Sequence, residues 1–305
     1  MVRRPRRMRN RSALMAVLAM VGGLLSAPAE SHGELYLDFV QTTDKGKTNW
    51  TAGIVSATGI GFPPSGQANP AMGRVMAERA AYVDALRNLL EEVKGVRVDA
   101  TSVVEDRMLK SSTIHTRVSG FVRGARRVRQ TPHDDGSVEV EVSVPMWGEN
   151  GLNLYLFDEM NLGSSVVEEL PSDYTSLVID ARGTGMQPEL FPTVIDTEGG
   201  TVYSPDMVDK EAAGENGMVR YVTLGKEKAS WEIWFLPVAN EPSLLGRKPL
   251  MVKGVSAGGS SAKATVMMSA ADARKISQSK KQAAGFLKQA RVVIILDPRM
   301  GGVEQ

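Results

Sequence analysis

The spacing of apolar and polar positions changes period several times along this chain, and each change marks an expected element. Residues 50–61 (WTAGIVSATGIG) read as a strand that ends in glycines and is stopped by Phe62-Pro63-Pro64. Asn69 then suits a helix cap and Pro70 its first position, and Met72, Val75, Met76, Ala80, Val83, Leu86, Leu89, Leu90 and Val93 recur at three- and four-residue spacings. This predicts a long helix closed by Gly95. Val96, Val98 and Ala100 begin an alternating strand, and residues 113–130 read as another, longer one. After the turn His133-Asp134-Asp135-Gly136, four valines (Val138, Val140, Val142, Val144) alternate with Glu139, Glu141 and Ser143, the mark of a strand with one wet face. The order is β-α-β-β-β over residues 30–150, a helix laid across one face of an antiparallel sheet.

Residues 151–173 mix short apolar clusters with acids and a proline, which predicts a linker with one short helix. Beyond it, residues 177–179 form a strand entering Ala181-Arg182-Gly183-Thr184-Gly185, and Thr193-Val194-Ile195 and Thr201-Val202-Tyr203 flank Glu198-Gly199-Gly200 as a hairpin. Further strands are expected at 231–236, 250–255 and 264–268, a helix over 270–290 capped by Ser269 or Asp272, and a buried closing strand at 292–296. The expected fold class is α+β, with two domains (30–150 and 174–305), each an antiparallel or mixed sheet with a helix packed on one face.

Charge changes the picture at the start of the chain. Arg3, Arg4, Arg6, Arg7, Arg9 and Arg11 precede an apolar run over residues 13–25 and then Ser26-Ala27-Pro28-Ala29, the three-part layout of a secretory signal over residues 1–29. The run is shorter than the roughly 20 apolar residues of a stable membrane-spanning helix, so no span is expected after cleavage. Without this segment, 30 basic residues face 35 acidic ones, a net charge of about −5. A mildly acidic exported chain is a poor nucleic-acid binder, which needs clustered excess Lys and Arg. The chain has no cysteine, which removes disulfides, thiolate chemistry and a lipid-modified terminal cysteine.

No motif reads as a catalytic or cofactor site. Gly59-Ile60-Gly61 lacks the third glycine of a dinucleotide loop, and prolines separate it from the helix, so it reads as a tight turn. Ser260-x-x-Lys263 and Ser277-x-x-Lys280 match a serine–lysine pair but lack the partner motifs of such hydrolases. Glu91 and Glu92 are adjacent on a helix and diverge by about 100°, poor placement for paired acid/base work. His115 and His133, with Asp134 and Asp135, have no metal-ligand spacing. Arg117, Arg123, Arg127 and Arg129 are expected on one face of the 113–130 strand, a row suited to an anionic envelope polymer or an acidic protein face. The bland alternative is neutralisation by Glu139 and Glu141 across the hairpin. No cofactor and no metal are expected.

Four pieces of residues 50–147 together resemble a known family. They are Trp50-Thr51-Ala52-Gly53 through Ala57-Thr58-Gly59-Ile60-Gly61, then Ala77-x-x-Ala80-Ala81-x-x-Asp84-Ala85-x-x-Asn88-Leu89-Leu90, then Gly120-Phe121-Val122-x-Gly124-Ala125, and Asp135-Gly136-Ser137-Val138-Glu139-Val140. In order and spacing they resemble the bacterial membrane-associated lipoprotein family that includes the flagellar P lipoprotein and the N-terminal domain of the flagellar assembly protein T. The resemblance implies a non-catalytic periplasmic or cell-envelope protein, a homo-oligomeric subunit among outer-membrane or flagellar proteins. The missing lipobox cysteine departs from the pattern and leaves association through partners. Two other readings are a monomeric glycan- or lipid-binding module, using the arginine row or Trp231 and Trp234, and a cell-wall-active hydrolase.

Overall fold

The computed structural model describes residues 38–66, 69–225, 227–235, 242–256, 266–279 and 281–298. The expected signal segment, Ser260, Lys263 and Lys280 lie outside them. The first half builds strands β1 (Val40–Thr42), β2 (Gly46–Asn49) and β3 (Ile54–Gly61), helix α1 (Pro70–Gly95), the short strands β4 (Arg97–Asp99) and β5 (Ser102–Val103), helices α2 (Val104–Lys110) and α3 (Ser112–Arg123), and strands β6 (Arg126–Pro132) and β7 (Val138–Pro145). An antiparallel five-stranded sheet runs β1-β2-β3-β7-β6, with α1 across one face.

The start of α1 follows its sequence signals: the Asn69 side chain accepts from the Ala71 and Met72 amides, and Pro70 opens the helix. Its buried face is not the larger apolar set. Ala77, Ala81 and Ala85, joined by Gly73, Asn88, Leu89 and Val93, face inward, because the sheet beneath offers glycine. A Cβ on Gly59 would stand 2.1 Å from the Ala85 amide nitrogen, and one on Gly61 2.0 Å from the Ala77 carbonyl oxygen. Gly59-Ile60-Gly61 is therefore strand rather than tight turn, and its glycines permit backbone-to-backbone approach of helix and sheet.

Residues 112–123, expected as strand, are helical. Ile114, Val118, Phe121 and Val122 fall at helical spacing and are buried, and the Ser111 hydroxyl accepts from the Ile114 amide at 3.3 Å. The strand starts only at Arg126, after Gly124 ends the helix.

The second half contains β8 (Glu168–Leu170), β9 (Ser176–Asp180), β10 (Val194–Asp196), β11 (Thr201–Tyr203), α4 (Lys210–Asn216), β12 (Arg220–Thr223), α5 (Pro242–Leu245), β13 (Pro249–Lys253), β14 (Val266–Met268), α6 (Ala270–Ala273), β15 (Ser277–Ser279), β16 (Gln282–Ala284), α7 (Gly285–Lys288) and β17 (Val292–Leu296). Its largest sheet, β12-β17-β9-β13, is parallel throughout. β9 and β17 are buried along their whole length, as their near-continuous apolar sequences require of strands covered on both faces. Alternate residues serve two cores: Leu177, Ile179, Val292 and Ile294 point to one, and Val178, Val293 and Ile295 to the other. The 194–203 hairpin forms as expected, with Gly199 at φ 89° in its turn. Two expectations fail. The 270–290 segment is not one helix but α6, the β15-β16 hairpin and α7, and residues 230–235 form a 3-10 helix rather than a strand.

One buried cluster continues from Phe39 through Leu296. Residues 151–173, expected as a linker, contribute Leu152, Leu156, Phe157, Leu162 and Val167 to it. Trp50 meets Tyr221 edge-on with ring centroids 5.9 Å apart. Arg97 pairs with the buried Glu189 at 3.2 Å, and the Leu190 and Phe191 amides donate to the Arg97 and Val98 carbonyls.

Candidate docking surface

The four arginines expected on one strand face are distributed over two elements. Arg117 and Arg123 lie on α3, where Arg117 reaches Asp158 at 3.3 Å and Arg123 donates to the Ser119 carbonyl. Arg127 and Arg129 lie on β6, but the register shifts between them: Arg127 faces Val142, while Arg129 faces Glu141. The extra residue, Val128, places them on opposite faces of the sheet. Arg127 is on the helix side, 2.6 Å from Glu78 and 4.8 Å from the centre of the Tyr82 ring. Arg129 is on the open side, 3.7 Å from Glu139 and 3.6 Å from Glu141. The expected neutralisation across the hairpin thus holds for Arg129 and not for Arg127, and the structure does not bring the four together.

The surface that sequence periodicity did not separate from the core is the outer side of α1. Because alanines occupy the inner face, Met72, Val75, Met76 and Val83 remain 49%, 47%, 42% and 66% exposed. β2 pairs only with the first half of β3, and after the Thr58 amide donates to the Lys45 carbonyl the edge is left free from the Thr58 carbonyl onward. Two side chains of α1, one turn apart, take the place of a neighbouring strand there. The Asp84 carboxylate accepts from the Ile60 amide at 3.2 Å, and the Asn88 amide donates to the Thr58 carbonyl at 2.7 Å. Asp84 also holds Arg87. Ile60, Arg79, Ala80, Val83, Asp84 and Arg87 line one shallow groove of about 560 Å³, so the β3 edge and the helix ridge are a continuous surface.

Polar clusters elsewhere are occupied internally. At the carboxyl end of the parallel sheet, where open α/β sheets commonly bind ligands, Asp180 accepts from Arg182 Nε at 2.8 Å and Nη2 at 2.9 Å, Ser230 Oγ at 2.8 Å and Lys253 Nζ at 3.4 Å. Arg182 Nη1 donates onward to the Gly225 and Lys228 carbonyls at 2.6 and 2.8 Å. Burial by itself would raise the Asp180 pKa, but the hydrogen bonds from Arg182 and Ser230 outweigh it and hold the carboxyl well below the usual range. The pair fastens the 225–230 loop to the strand end. Glu92 turns inward to the Thr43 hydroxyl, and burial raises its pKa, whereas Glu91 pairs with Lys94 at 2.9 Å. These two carboxylates do not converge. Ser277 is buried and donates to the Ser279 carbonyl. His115 is on α3 rather than a strand, and both it and His133 are exposed. Among the described residues no group of three or more His, Asp or Glu is placed to hold a metal ion.

Residues 176–298 match the family model described as Treponema pallidum Tp0624, second domain. The match begins with β9 and ends just past β17, so it takes in the parallel sheet and lies wholly outside α1 and β3. No curated protein matches the chain.

Proposed function

We propose that this chain is a non-catalytic cell-envelope component that works by docking, and that the outer face of α1 with the β3 edge is its docking surface. The observation that carries the reading is the exposed apolar set Met72, Val75, Met76 and Val83 along the outer side of α1. Contiguous apolar surface of this kind is characteristic of interaction sites. The signal-like first 29 residues, and the resemblance of residues 50–147 to a family of envelope and flagellar proteins, support placing the partner in the periplasm or at the outer membrane.

The test is fractionation of cells producing the chain or its Val83→Glu variant. The side chain is mostly exposed, so the variant folds normally. The reading predicts the parent chain in the envelope-bound fraction and the variant largely released. Equal distribution of the two overturns it. Ser277→Ala leaves the distribution unchanged, since its hydroxyl serves only a local bond to Ser279.

A further inference from the structure

The docking face has a definite chemistry. At 100° per residue, positions 72, 76, 79 and 87 fall within about 40° of Val83 around the helix axis. Met72, Met76, Arg79, Val83 and Arg87 therefore form one stripe about 22 Å long. Arg79 is exposed and has no ion-pair partner among the described residues. Arg87 is paired with Asp84, which also accepts from the Ile60 amide, so Arg79 carries the stripe's uncompensated positive charge. The stripe is thus apolar and cationic, on a chain that is net acidic once its first 29 residues are set aside. Charge of this sign attracts an anionic partner and orients the molecule as it approaches.

We infer that this face lies on an anionic lipid surface, with Met72, Met76 and Val83 entering the interface and Arg79 and Arg87 reaching the headgroups. The inference rests on the docking reading above and adds what is docked against. A second copy is the wrong occupant: parallel pairing of two such stripes sets Arg79 against Arg79 and Arg87 against Arg87, and antiparallel pairing about Val83 sets Arg79 against Arg87. The stripe is the crest of a helix lying on a sheet, and the groove along its flank is shallow and open rather than an enclosed cleft for a partner's anchor. A bilayer interface moulds around such a ridge, taking up the apolar side chains while long arginine stems carry their charges out to the phosphates. Among the described residues no helix is long and apolar enough to cross a membrane.

The experiment is cosedimentation of the purified chain, its N-terminus fixed by mass spectrometry, with vesicles of phosphatidylcholine alone or mixed with phosphatidylglycerol. The expected result is binding to the mixed vesicles only, weakening as salt rises. Val83→Glu and Arg79→Glu each lower partitioning at least tenfold, Arg79→Lys retains it, and circular dichroism shows all three folded. Three results overturn the inference. If mixed vesicles are not bound while envelope fractionation still depends on Val83, the lipid inference fails and docking onto an acidic protein face replaces it. If vesicle binding occurs but is indifferent to Val83→Glu and Arg79→Glu, the lipid contact lies elsewhere. Independence of both vesicle binding and fractionation from Val83 defeats the inference together with the docking reading.

Discussion

A few individual residues decide how α1 sits, and they act through what they lack as much as through what they carry. Gly61 makes room for the Ala77 carbonyl, and a methyl there meets backbone 2.0 Å away, which no side-chain rotation relieves. Gly61→Ala is expected to cost at least the ~1–3 kcal/mol of ordinary overpacking, read as a lower urea midpoint. An unchanged midpoint contradicts the close approach. Asn88 replaces a strand neighbour at Thr58, so Asn88→Ala strands a half-covered carbonyl and is expected to cost about 1–3 kcal/mol. Asp180 supplies a pH dependence whose sign follows from its lowered pKa. A carboxylate that binds its proton more weakly when folded contributes stability above its unfolded pKa of about 3.9 and loses it as pH falls toward the folded value. Chemical denaturation at a series of pH values should show Asp180→Asn less stable at neutral pH and less sensitive to acid below about pH 4. Asp180→Ala, which leaves the mostly buried Arg182 without its carboxylate, is expected to cost about 3–5 kcal/mol.

At the scale of elements, β6 shows how an exposed sheet edge is kept from pairing with another chain. It carries Arg126, Arg127 and Arg129, ends in Pro132 and is bent by a bulge, three devices that discourage strand addition. The same bulge separates two arginines that simple alternation placed together. Arg129→Ala should change stability by less than about 1 kcal/mol, as for other exposed pairs. Arg127→Ala should cost more, since Arg127 joins β6 to α1 through Glu78 and Tyr82; a double-mutant cycle with Glu78 measures the difference. How far elements were legible depended on whether their signals are local. The α1 boundaries were readable from Asn69, Pro70 and Gly95, and β7 from its alternating valines, because caps and alternation are written in adjacent residues. The inward face of α1 was not, because alanine counts little in an apolar pattern, while the glycines that select it lie on another element. The helix at 112–123 was missed because Val118 and Val122 fit both a strand's alternation and a helix's stripe, and burial of Ile114 and Phe121 decides between them. In the 270–290 segment the cap at Ser269 is real, its hydroxyl accepting from Asp272, but pairing of β16 with β8 stops the helix after one turn. That partner is more than a hundred residues away and leaves no local trace.

At the scale of the molecule, the described halves meet through Trp50 on Tyr221, Arg97 on Glu189, and residues 151–173 packed between them. The outer side of α1 presents its apolar and cationic stripe to the surface. The candidate arginines were visible in the sequence but their company was not, and the docking face was visible only as apolar periodicity, which reads the same whether it points inward or out. The claim that this face meets the envelope is tested most directly by a photo-activated crosslinking residue placed at position 83 in producing cells, with one at position 166 as control. Val166 is 90% exposed and lies outside the stripe, so both probes report what touches them. The account predicts crosslinks from position 83 to an envelope constituent, lost in the Arg79→Glu background, and only sporadic labelling from position 166. Equal labelling from the two positions, or none from position 83, contradicts it.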